Sequence, residues 1–266
     1  MKYLSVSELA KRWGMAERTV RNYCATGKIA DAFLTGKTWN IPDTAQQPER
    51  INKHTENPTT LLERLRAEKS ARLSGGIYHK VQIELTYNSN RIEGSRLTQD
   101  QTRYIFETNT IGIGDDSVNV DDIVENTNQF RCIDLIIDHA NAPLSEKRIK
   151  LLHQLLKSGT SDARKEWFVV GGYKRLPNEV GGKQTTTPED VASQMKKLIR
   201  AYNAVKAHSL DDILEFHYRF EMIHPFQDGN GRVGRLILFK ECLHNGIVPF
   251  ILDDELKRFY YRGLQQ

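Results

Sequence analysis

The segment 223–235 constrains the fold of this chain more than any other part of its sequence. Before it, residues 213–223 carry apolar side chains at helical spacing, and after it a second apolar run covers residues 236–239. Pro225 cannot continue the first helix, because it lacks a backbone N–H and crowds the preceding turn. The segment therefore predicts a helix that stops, a tight loop and a second helix that starts.

The loop between these two predicted helices has the composition of an anion site. Gly229 and Gly231 permit backbone angles that are closed to other residues, and they leave the backbone N–H groups unscreened. At the N-terminus of a helix, those groups and the helix dipole favour a phosphate. Arg232 and Arg235 lie three residues apart, so they project from a similar helix face and can clamp phosphate oxygens as well. Asp228 adds a carboxylate, and Mg²⁺ is usually bound by one or two protein carboxylates together with phosphate oxygens.

His224 is the one side chain of the segment that can take a proton near neutral pH, which makes it the candidate general base. His217 and Glu221 precede it, and the three residues together raise the alternative of a metal site. Their order lacks the HExxH spacing of a helical zinc site. We therefore expect His217 to be a helix-packing or loop-bracing residue.

From His224 to Arg235 the sequence matches the Fic signature HxFx[D/E]GNGRxxR at all eight specified positions. The chain resembles the Fic family over residues 61–266, and the resemblance implies a mainly α fold, a Fic helical bundle with a small β-hairpin flap. It also implies that His224 deprotonates a target hydroxyl, that Phe226 anchors the loop and that Asp228 holds Mg²⁺. The groups implied to bind the phosphates of ATP belong to Gly229, Asn230, Gly231, Arg232 and Arg235.

The activity that this resemblance implies is protein adenylylation, the transfer of AMP from ATP to a Tyr, Thr or Ser hydroxyl of a protein, with the chain itself among the candidate targets. Two alternatives stay open at this point. The chain can be a DNA-binding transcription regulator whose Fic domain senses nucleotide, or a transferase that uses another donor. The intact His224, Asp228, Asn230 and both arginines favour the enzyme, because a degenerate domain would be expected to lose them.

A second motif, Ser-Asn-Arg-Ile-Glu-Gly, lies upstream and fits the [S/T]xxxE[G/N] inhibitory pattern of Fic proteins. Ser89 and Glu93 are four residues apart and share one helical face, and Gly94 is a suitable helix terminator. The resemblance implies an inhibitory helix around residues 80–94 in the same chain. There Glu93 would pair with Arg235 and block the productive pose of the ATP γ-phosphate. Taken alone, Glu93 would be a solvated helix charge.

Residues 167–182 break the helical pattern, since aromatic and β-branched residues are bounded there by paired glycines. This pattern predicts a short hairpin. In the resemblance to Fic proteins the hairpin takes the place of the flap, whose edge would align a target segment through main-chain hydrogen bonds. An inert surface hairpin is the alternative.

The N-terminal block, residues 1–42, predicts two short helices followed by a β wing around Gly36 and Lys37. It carries seven Lys/Arg against three Asp/Glu. It resembles excisionase- and MerR-like winged helix-turn-helix domains, in which the second helix enters the major groove of DNA; docking to a protein is the alternative. Residues 43–60 are polar and contain two prolines, which predicts a linker. The residues implied to contact DNA are Arg18, Thr19, Arg21, Asn22 and Lys37.

Composition sets the remaining bounds. The proportions of 39% hydrophobic and 27% charged residues are ordinary for a globular protein, and a net charge of +4 supports no claim about nucleic acid. No apolar run approaches the roughly 20 residues that span a bilayer. Cys24, Cys132 and Cys242 are odd in number and far apart, which predicts neither disulfides nor zinc. We therefore expect a cytoplasmic protein without membrane contact, with ATP and a hydroxyl-bearing protein as partners, Mg²⁺ as cofactor and a homo-oligomer left open.

Overall fold

The structure is a computed structural model that describes residues 2–48, 60–112, 117–180, 182–253 and 255–265. The chain divides into two compact units, Met1–Asn57 and Pro58–Gln266. Most of the predicted linker 43–60 lies outside the described residues, because 49–59 belong to none of these ranges. The linker therefore stays a prediction.

The first unit combines helices with a small antiparallel sheet. Its elements are β1 Tyr3–Leu4, α1 Val6–Trp13, α2 Glu17–Ala25, β2 Phe33–Thr35 and β3 Thr38–Pro42, with the strand order β1-β3-β2. The predicted capping box begins α1, since the hydroxyl of Ser5 and the carboxylate of Glu8 each accept from the other residue's backbone N–H. Gly14 ends the same helix at a φ of 63°, a left-handed conformation that favours glycine.

The predicted β wing is a hairpin in which Leu34 lies opposite Trp39. Strand β1, which pairs Leu4 with Ile41, was not predicted, because two residues are too few to show a periodic pattern. The order of helices and hairpin agrees with the prediction, whereas the identity of the unit as a winged helix-turn-helix domain stays a prediction. The core between helices and sheet consists of Val6, Leu9, Ala10, Val20, Cys24, Ile29 and Ile41.

The second unit is mainly helical, as predicted. Its helices are α3 Leu61–Ala71, α4 Ile77–Ile92, α5 Gln99–Thr108, α6 Val120–His139, α7 Glu146–Lys157, α8 Pro188–Asn203, α9 Leu210–Ile223, α10 Asn230–His244 and α11 Lys257–Gln265, with a 3₁₀ turn at Asp162–Arg164. All but two of the 15 residues of α10 are buried, which places this helix at the centre of the unit. It packs against α9, α7 and α6. Among the described helices, none is long and apolar enough to cross a membrane.

The β flap is shorter than predicted, and the first half of the predicted hairpin is wrong. Its antiparallel strands are β4 Glu179–Val180 and β5 Lys183–Gln184, whereas residues 167–174 form turns and irregular backbone. Phe168 is buried and stacks on His153 with ring centroids 5.9 Å apart. The aromatic character that favoured a strand at this position therefore serves packing.

Candidate active site

His224 ends helix α9 and begins the predicted active loop. Its φ of 50° is left-handed, which few residues other than glycine adopt. Its side chain is 17% exposed, and Nδ1 lies 3.2 Å from the carbonyl oxygen of Glu221. Because a carbonyl can only accept, Nδ1 carries the proton and Nε2 presents a lone pair. Burial lowers the pKa of His224, so the ring is neutral at pH 7 and able to take a proton.

Phe226 and Asn230 hold the loop in shape. Phe226 is fully buried, and its N–H donates to Oδ1 of Asn230 at 2.7 Å. The Nδ2 of Asn230 donates back to the Phe226 carbonyl at 2.8 Å. Gly229 then leads into α10 with a φ of 78°, where a side chain would be strained. The Oδ1 and one N–H of the Asn230 side chain are thus used inside the loop.

His153, on helix α7, is a loop contact that the sequence did not reveal. Its ring stacks on Phe226 with centroids 4.0 Å apart. Its Nδ1 accepts from the N–H of Gly171 at 2.9 Å, so Nε2 carries the proton and donates to the carbonyl of Asp228 at 3.1 Å. Burial lowers the pKa of His153 to about 4. The neutral ring is therefore a fixed bridge to the loop.

Lys157, one turn further along α7, is a second contact that the sequence did not reveal. Its side chain is 2% exposed, and its ammonium donates to Glu125 at 2.6 Å, Asp228 at 2.7 Å and Asp162 at 2.8 Å. An ammonium has three donors, so this buried cation is fully paired. Burial lowers the pKa of Lys157, but Asp228 and Glu125 raise it by more. Because these partners lie 5, 32 and 71 residues away, no periodic pattern links them.

Asp228 is both paired and accessible, since half of its side chain is exposed. Burial raises its pKa, but the cations of Arg232 and Lys157 hold it well below its usual range. An accessible, ionised carboxylate suits Mg²⁺, which takes one or two protein oxygens and completes its shell with phosphates and water. In the part of the chain that the structure describes, no cluster of three His, Cys, Asp or Glu side chains could hold a metal alone. Asp228 therefore fits a metal that binds together with a phosphate ligand.

The two loop arginines are buried against helices α4 and α6. Arg232 donates to Glu125 and lies with NH2 3.4 Å from the carboxylate of Asp228. Arg235 donates from Nε to the hydroxyl of Ser89 at 3.0 Å and from NH2 to the Ser89 carbonyl at 2.9 Å. The predicted pair of arginines is thus brought to one end of α10, and each is engaged by acceptors of the protein.

Glu93 completes the contacts of Arg235. Helix α4 covers most of the predicted inhibitory helix, Glu93 caps it, and Gly94 follows at a φ of 97°. The Oε1 of Glu93 accepts from NH2 of Arg235 at 2.6 Å, and the glutamate side chain is 28% exposed. A Cβ at Gly231 would collide with this carboxylate. The structure therefore brings Ser89 and Glu93 to Arg235, and Glu93 also lies beside Gly231 in the first turn of α10, where the phosphate site is predicted.

A buried polar cluster adjoins His224. Glu221 is 2% exposed, and burial raises its pKa to about 8. Burial lowers the pKa of His217 to about 4, and its Nε2 lies 2.9 Å from the hydroxyl of Tyr260 on α11. His217 thus joins α9 to α11, while its role in helix packing or in bracing the loop stays a prediction.

A family model described as the Fic/DOC family matches residues 143–241. The chain contains a Fic/DOC domain. The matched range includes the whole loop from His224 to Arg235 and also His153 and Lys157, whereas Glu93 lies outside it.

Curated relatives carry the same domain. The chain is 30% identical over 183 residues to the protein adenylyltransferase Fic of Drosophila grimshawi and to that of Drosophila mojavensis. Each alignment covers 67% of this chain but only 36% and 35% of the two relatives, so the chain spans little more than a third of their length. Members of the Fic family are nucleotidyltransferases.

Solved structures share the fold of the Fic domain. A Fic domain-containing signaling protein from Bacteroides thetaiotaomicron has a TM-score of 0.63 at 24% identity, covering 77% of this chain and 80% of that one. Fic-1 from C. elegans has a TM-score of 0.58 at 22% identity, covering 77% and 62%. At this level of identity the likeness concerns the fold alone, and it confirms the mainly helical Fic fold.

The segment that leads into the flap is tied to the active loop by several hydrogen bonds, among them those between Leu176 and Gln227. The N–H of Lys174 donates to the carbonyl of Pro225 at 2.8 Å. The side-chain amide of Asn178 donates to the carbonyl of Phe226 at 2.9 Å. These bonds hold the start of the flap at a fixed distance from the loop.

Outside the Fic domain, the predicted DNA contacts lie on helix α2 and on the turn between β2 and β3. Arg18, Arg21, Asn22 and Lys37 are exposed, and Thr19 is half-buried. Arg21 also forms an ion pair with Glu17 at 2.9 Å. The four exposed side chains are therefore accessible in the N-terminal unit.

Proposed function

We propose that the Fic domain transfers AMP from ATP to a hydroxyl group of a protein. The observation that carries this proposal is the neutral imidazole of His224, held at the start of a loop that leads into the N-terminus of a helix with two arginines. One loop thus combines a base with an anion site. The name of the curated relatives, protein adenylyltransferase Fic, supports the same reaction.

In this reaction Nε2 of His224 takes the proton of the target hydroxyl while the hydroxyl oxygen attacks the α-phosphorus of ATP. The new P–O bond forms in line with the bond to the bridging oxygen of the β-phosphate, which breaks and releases pyrophosphate. The loop amides, Arg232 and Arg235 act mainly by positioning the phosphates and balancing their charge. Asp228 would hold Mg²⁺, which supplies further charge neutralisation at the phosphates.

Glu93 restrains this activity. Its carboxylate is an anion beside the first turn of α10, where the reaction requires a phosphate, and its partner is Arg235 at 2.6 Å. Burial raises the pKa of Glu93, but Arg235 lowers it by more, so the carboxylate is ionised. While this pair holds, Arg235 is not available to the γ-phosphate, and ATP binds, if at all, in an unproductive pose.

The target is a protein segment that adds to the edge of the flap and so presents a Tyr, Thr or Ser hydroxyl to His224. Support comes from the bonds of Lys174 to Pro225 and of Asn178 to Phe226. Because these bonds fix the flap relative to the loop, a segment paired with the flap would lie at a defined distance from the base.

Mass spectrometry after incubation with ATP and Mg²⁺ tests the transfer. The parent is expected to add the mass of AMP to itself or to a protein in a lysate, and parallel incubations with GTP and CTP test other donors.

His224→Ala should abolish transfer but leave ATP binding largely intact, because the base acts on the target. Asp228→Ala should lose the metal-dependent part of ATP binding. His244→Ala, at the exposed end of α10, is the matched control; parental transfer by His224→Ala would contradict the assignment.

A second function, DNA binding by the N-terminal unit, is favoured by the exposed Arg18, Arg21 and Lys37. Replacing these three residues by alanine in the full chain should weaken binding to genomic DNA fragments in a gel-shift assay. The parent affinity should fall steeply with salt, with a logarithmic slope of about −0.9 per neutralised phosphate. A parent chain that gives no shift at low salt would indicate a protein-docking unit instead.

A further inference from the structure

A cavity of about 290 Å³ lies apart from the active loop, where helices α6, α7 and α10 meet. Its apolar lining includes Ile136, Leu152 and Ile237, which belong to the buried core. Leu151 also lines it and is 41% exposed, so the cavity opens to solvent. The result is an apolar recess that does not depend on the proposed transfer reaction.

The ionisable side chains that line this cavity, among the described residues, are all basic. They are Lys147, Arg148, Lys240 and His139, and among the described lining residues none is acidic. Ser145, the N-cap of α7, lines the cavity as well, so the positive end of that helix dipole adds to the field. A recess of this kind is apolar inside and positive around its lining.

Lys240 distinguishes the cavity from an ordinary gap between helices. It is 5% exposed, and within the described residues its ammonium has one acceptor, Glu241 at 2.5 Å. Glu241 is shared, because its other oxygen accepts from the hydroxyl of Tyr202 at 3.1 Å. Burial lowers the pKa of Lys240; Glu241 opposes this and the guanidinium of Arg148 adds to it. Lys240 is thus a buried cation that shares its carboxylate with Tyr202 and has a second cation, Arg148, in its vicinity.

The contrast with Lys157 shows what Lys240 lacks. An ammonium has three donors, and the equally buried Lys157 uses them on three carboxylates. Lys240 uses one donor on Glu241. A buried charge with too few partners is costly, and an anion in the cavity would offset that cost.

We propose that this cavity binds a small amphipathic carboxylate, with its carboxylate on Lys240 and its hydrocarbon chain against Ile136, Leu152 and Ile237. The uniform positive charge selects an anion, and the apolar lining selects a hydrocarbon chain. The volume is at the lower end of the roughly 300–1,000 Å³ of ligand pockets, so a medium-chain fatty acid is the appropriate size class. A recess among three helices suits such a molecule better than it suits a protein segment.

Titration calorimetry of the full chain with sodium octanoate, together with thermal unfolding, tests this proposal. Saturable binding at one site and a raised Tm are expected. Octanol, which has the same chain without charge, and octylammonium, which has the opposite charge, should bind at least about tenfold more weakly. Equal binding of octanol and octanoate would overturn the role of Lys240, and absence of octanoate binding would overturn the site.

Two variants locate the binding. Lys240→Met combined with Glu241→Gln removes the cation without leaving a buried carboxylate unpaired, and it should weaken octanoate binding by roughly ten- to a hundredfold. Leu151→Trp, at an exposed lining position, blocks the cavity with no change of charge and should abolish binding with little change in the ligand-free Tm. Lys196→Met, at an exposed position on α8, is the control. Octanoate affinity that is unchanged by both test variants would overturn the proposal.

Discussion

Lys157 and Arg235 are both buried cations beside the active loop, yet they are held in different ways. Lys157 is bound by three carboxylates from separate parts of the chain, so the loss of one partner leaves two. Among the residues that the structure describes, Arg235 has one ionic partner, Glu93, which caps a helix and is 28% exposed. Movement of Glu93 would leave Arg235 with its two hydrogen bonds to Ser89 but without a carboxylate, whereas Lys157 would keep two carboxylates after the loss of any one. The proposed restraint of Arg235 therefore depends on a single carboxylate, whereas Asp228 belongs to a cluster with several charges.

In the described part of the chain, buried polar atoms without a partner occur on both sides and are more numerous beside Arg235; on the Lys157 side, Nε of Arg232 is such an atom. NH1 of Arg235, Oε1 of Glu221 and Nδ1 of His217 are buried without a hydrogen-bond partner among the described residues. Such atoms are uncommon in folded proteins and raise the free energy of the state that contains them. The comparison thus separates a cation with three carboxylate partners from an arginine with one carboxylate partner and several unsatisfied polar atoms nearby.

The largest effect is expected at Lys157. Lys157→Met removes the cation that three carboxylates share, and breaking a buried ion pair in this way costs on the order of 3–5 kcal/mol of unfolding free energy. Urea unfolding measures this loss. The matched control is Lys165→Met, because Lys165 also binds Asp162, at 2.6 Å, but is 45% exposed. An exposed pair of this kind contributes about 0–1 kcal/mol. If both variants lost the same free energy of unfolding, the buried Lys157 cluster would hold the fold no more strongly than an exposed ion pair.

The next effect concerns activity. Glu93→Gly should raise AMP transfer by tens of fold, because it frees Arg235 for the γ-phosphate. A bias of about 2.8 kcal/mol toward the paired state would leave the competent state near 1%. Incorporation of AMP into the chain or a lysate measures the gain. Glu84→Gln changes an accessible carboxylate on the same helix and should have no effect, whereas Glu93→Gln should activate.

Arg235→Ala should erase the gain of Glu93→Gly, since the activation acts through this arginine. A Glu93→Gly variant that folds, binds ATP and transfers no more AMP than the parent would mean that the accessible pair does not limit the reaction. The Arg235 side would then be as fixed as the Lys157 side.

The sequence predicted one side of this comparison far better than the other. Ser89 and Glu93 stand in a short motif with helical spacing, and the loop from His224 to Arg235 is continuous in sequence. The residues of the loop predicted one part and the resemblance to Fic proteins implied the other, and the structure brings them together through Arg235. Lys157 and its partners belong to four separate elements, and no local pattern in a single sequence connects them.

In the flap, the sequence predicted a strand where the structure has none, whereas at Lys157 it revealed no contact at all. Trp167 and Phe168 had the composition of a strand, but Phe168 is buried against His153, so tertiary packing overrode β propensity. The strands formed further along, at Glu179–Val180 and Lys183–Gln184. The sequence predicted that a hairpin exists in this region and misplaced it.

The smallest expected effect depends on pH and concerns Glu221. Burial raises the pKa of its carboxyl from an ordinary 4.5 to about 8. The folded chain therefore keeps a proton that the unfolded chain releases, and stability falls as pH rises from 4.5 toward 8. His153 and His217 have pKa values lowered from 6.5 to about 4, so they cost stability only as pH falls below 6.5. Between pH 6.5 and about 7.5, the stability change from Glu221 is therefore expected without a contribution from these two histidines.

Unfolding free energies at the two ends of this window test the effect. The parent should lose at most about 1.4 kcal/mol per pH unit relative to Glu221→Gln, which keeps the shape of the side chain but binds no titrating proton. Lys174, whose pKa burial lowers to about 8, is present in both proteins, so its contribution cancels in the difference. Glu215→Gln, at an exposed position on the same helix, should keep the parental slope. A parent with no slope in this window would mean that Glu221 is ionised in the folded chain; Arg235 would then have a second anion beside it, and the proposed ease of its release would be lost.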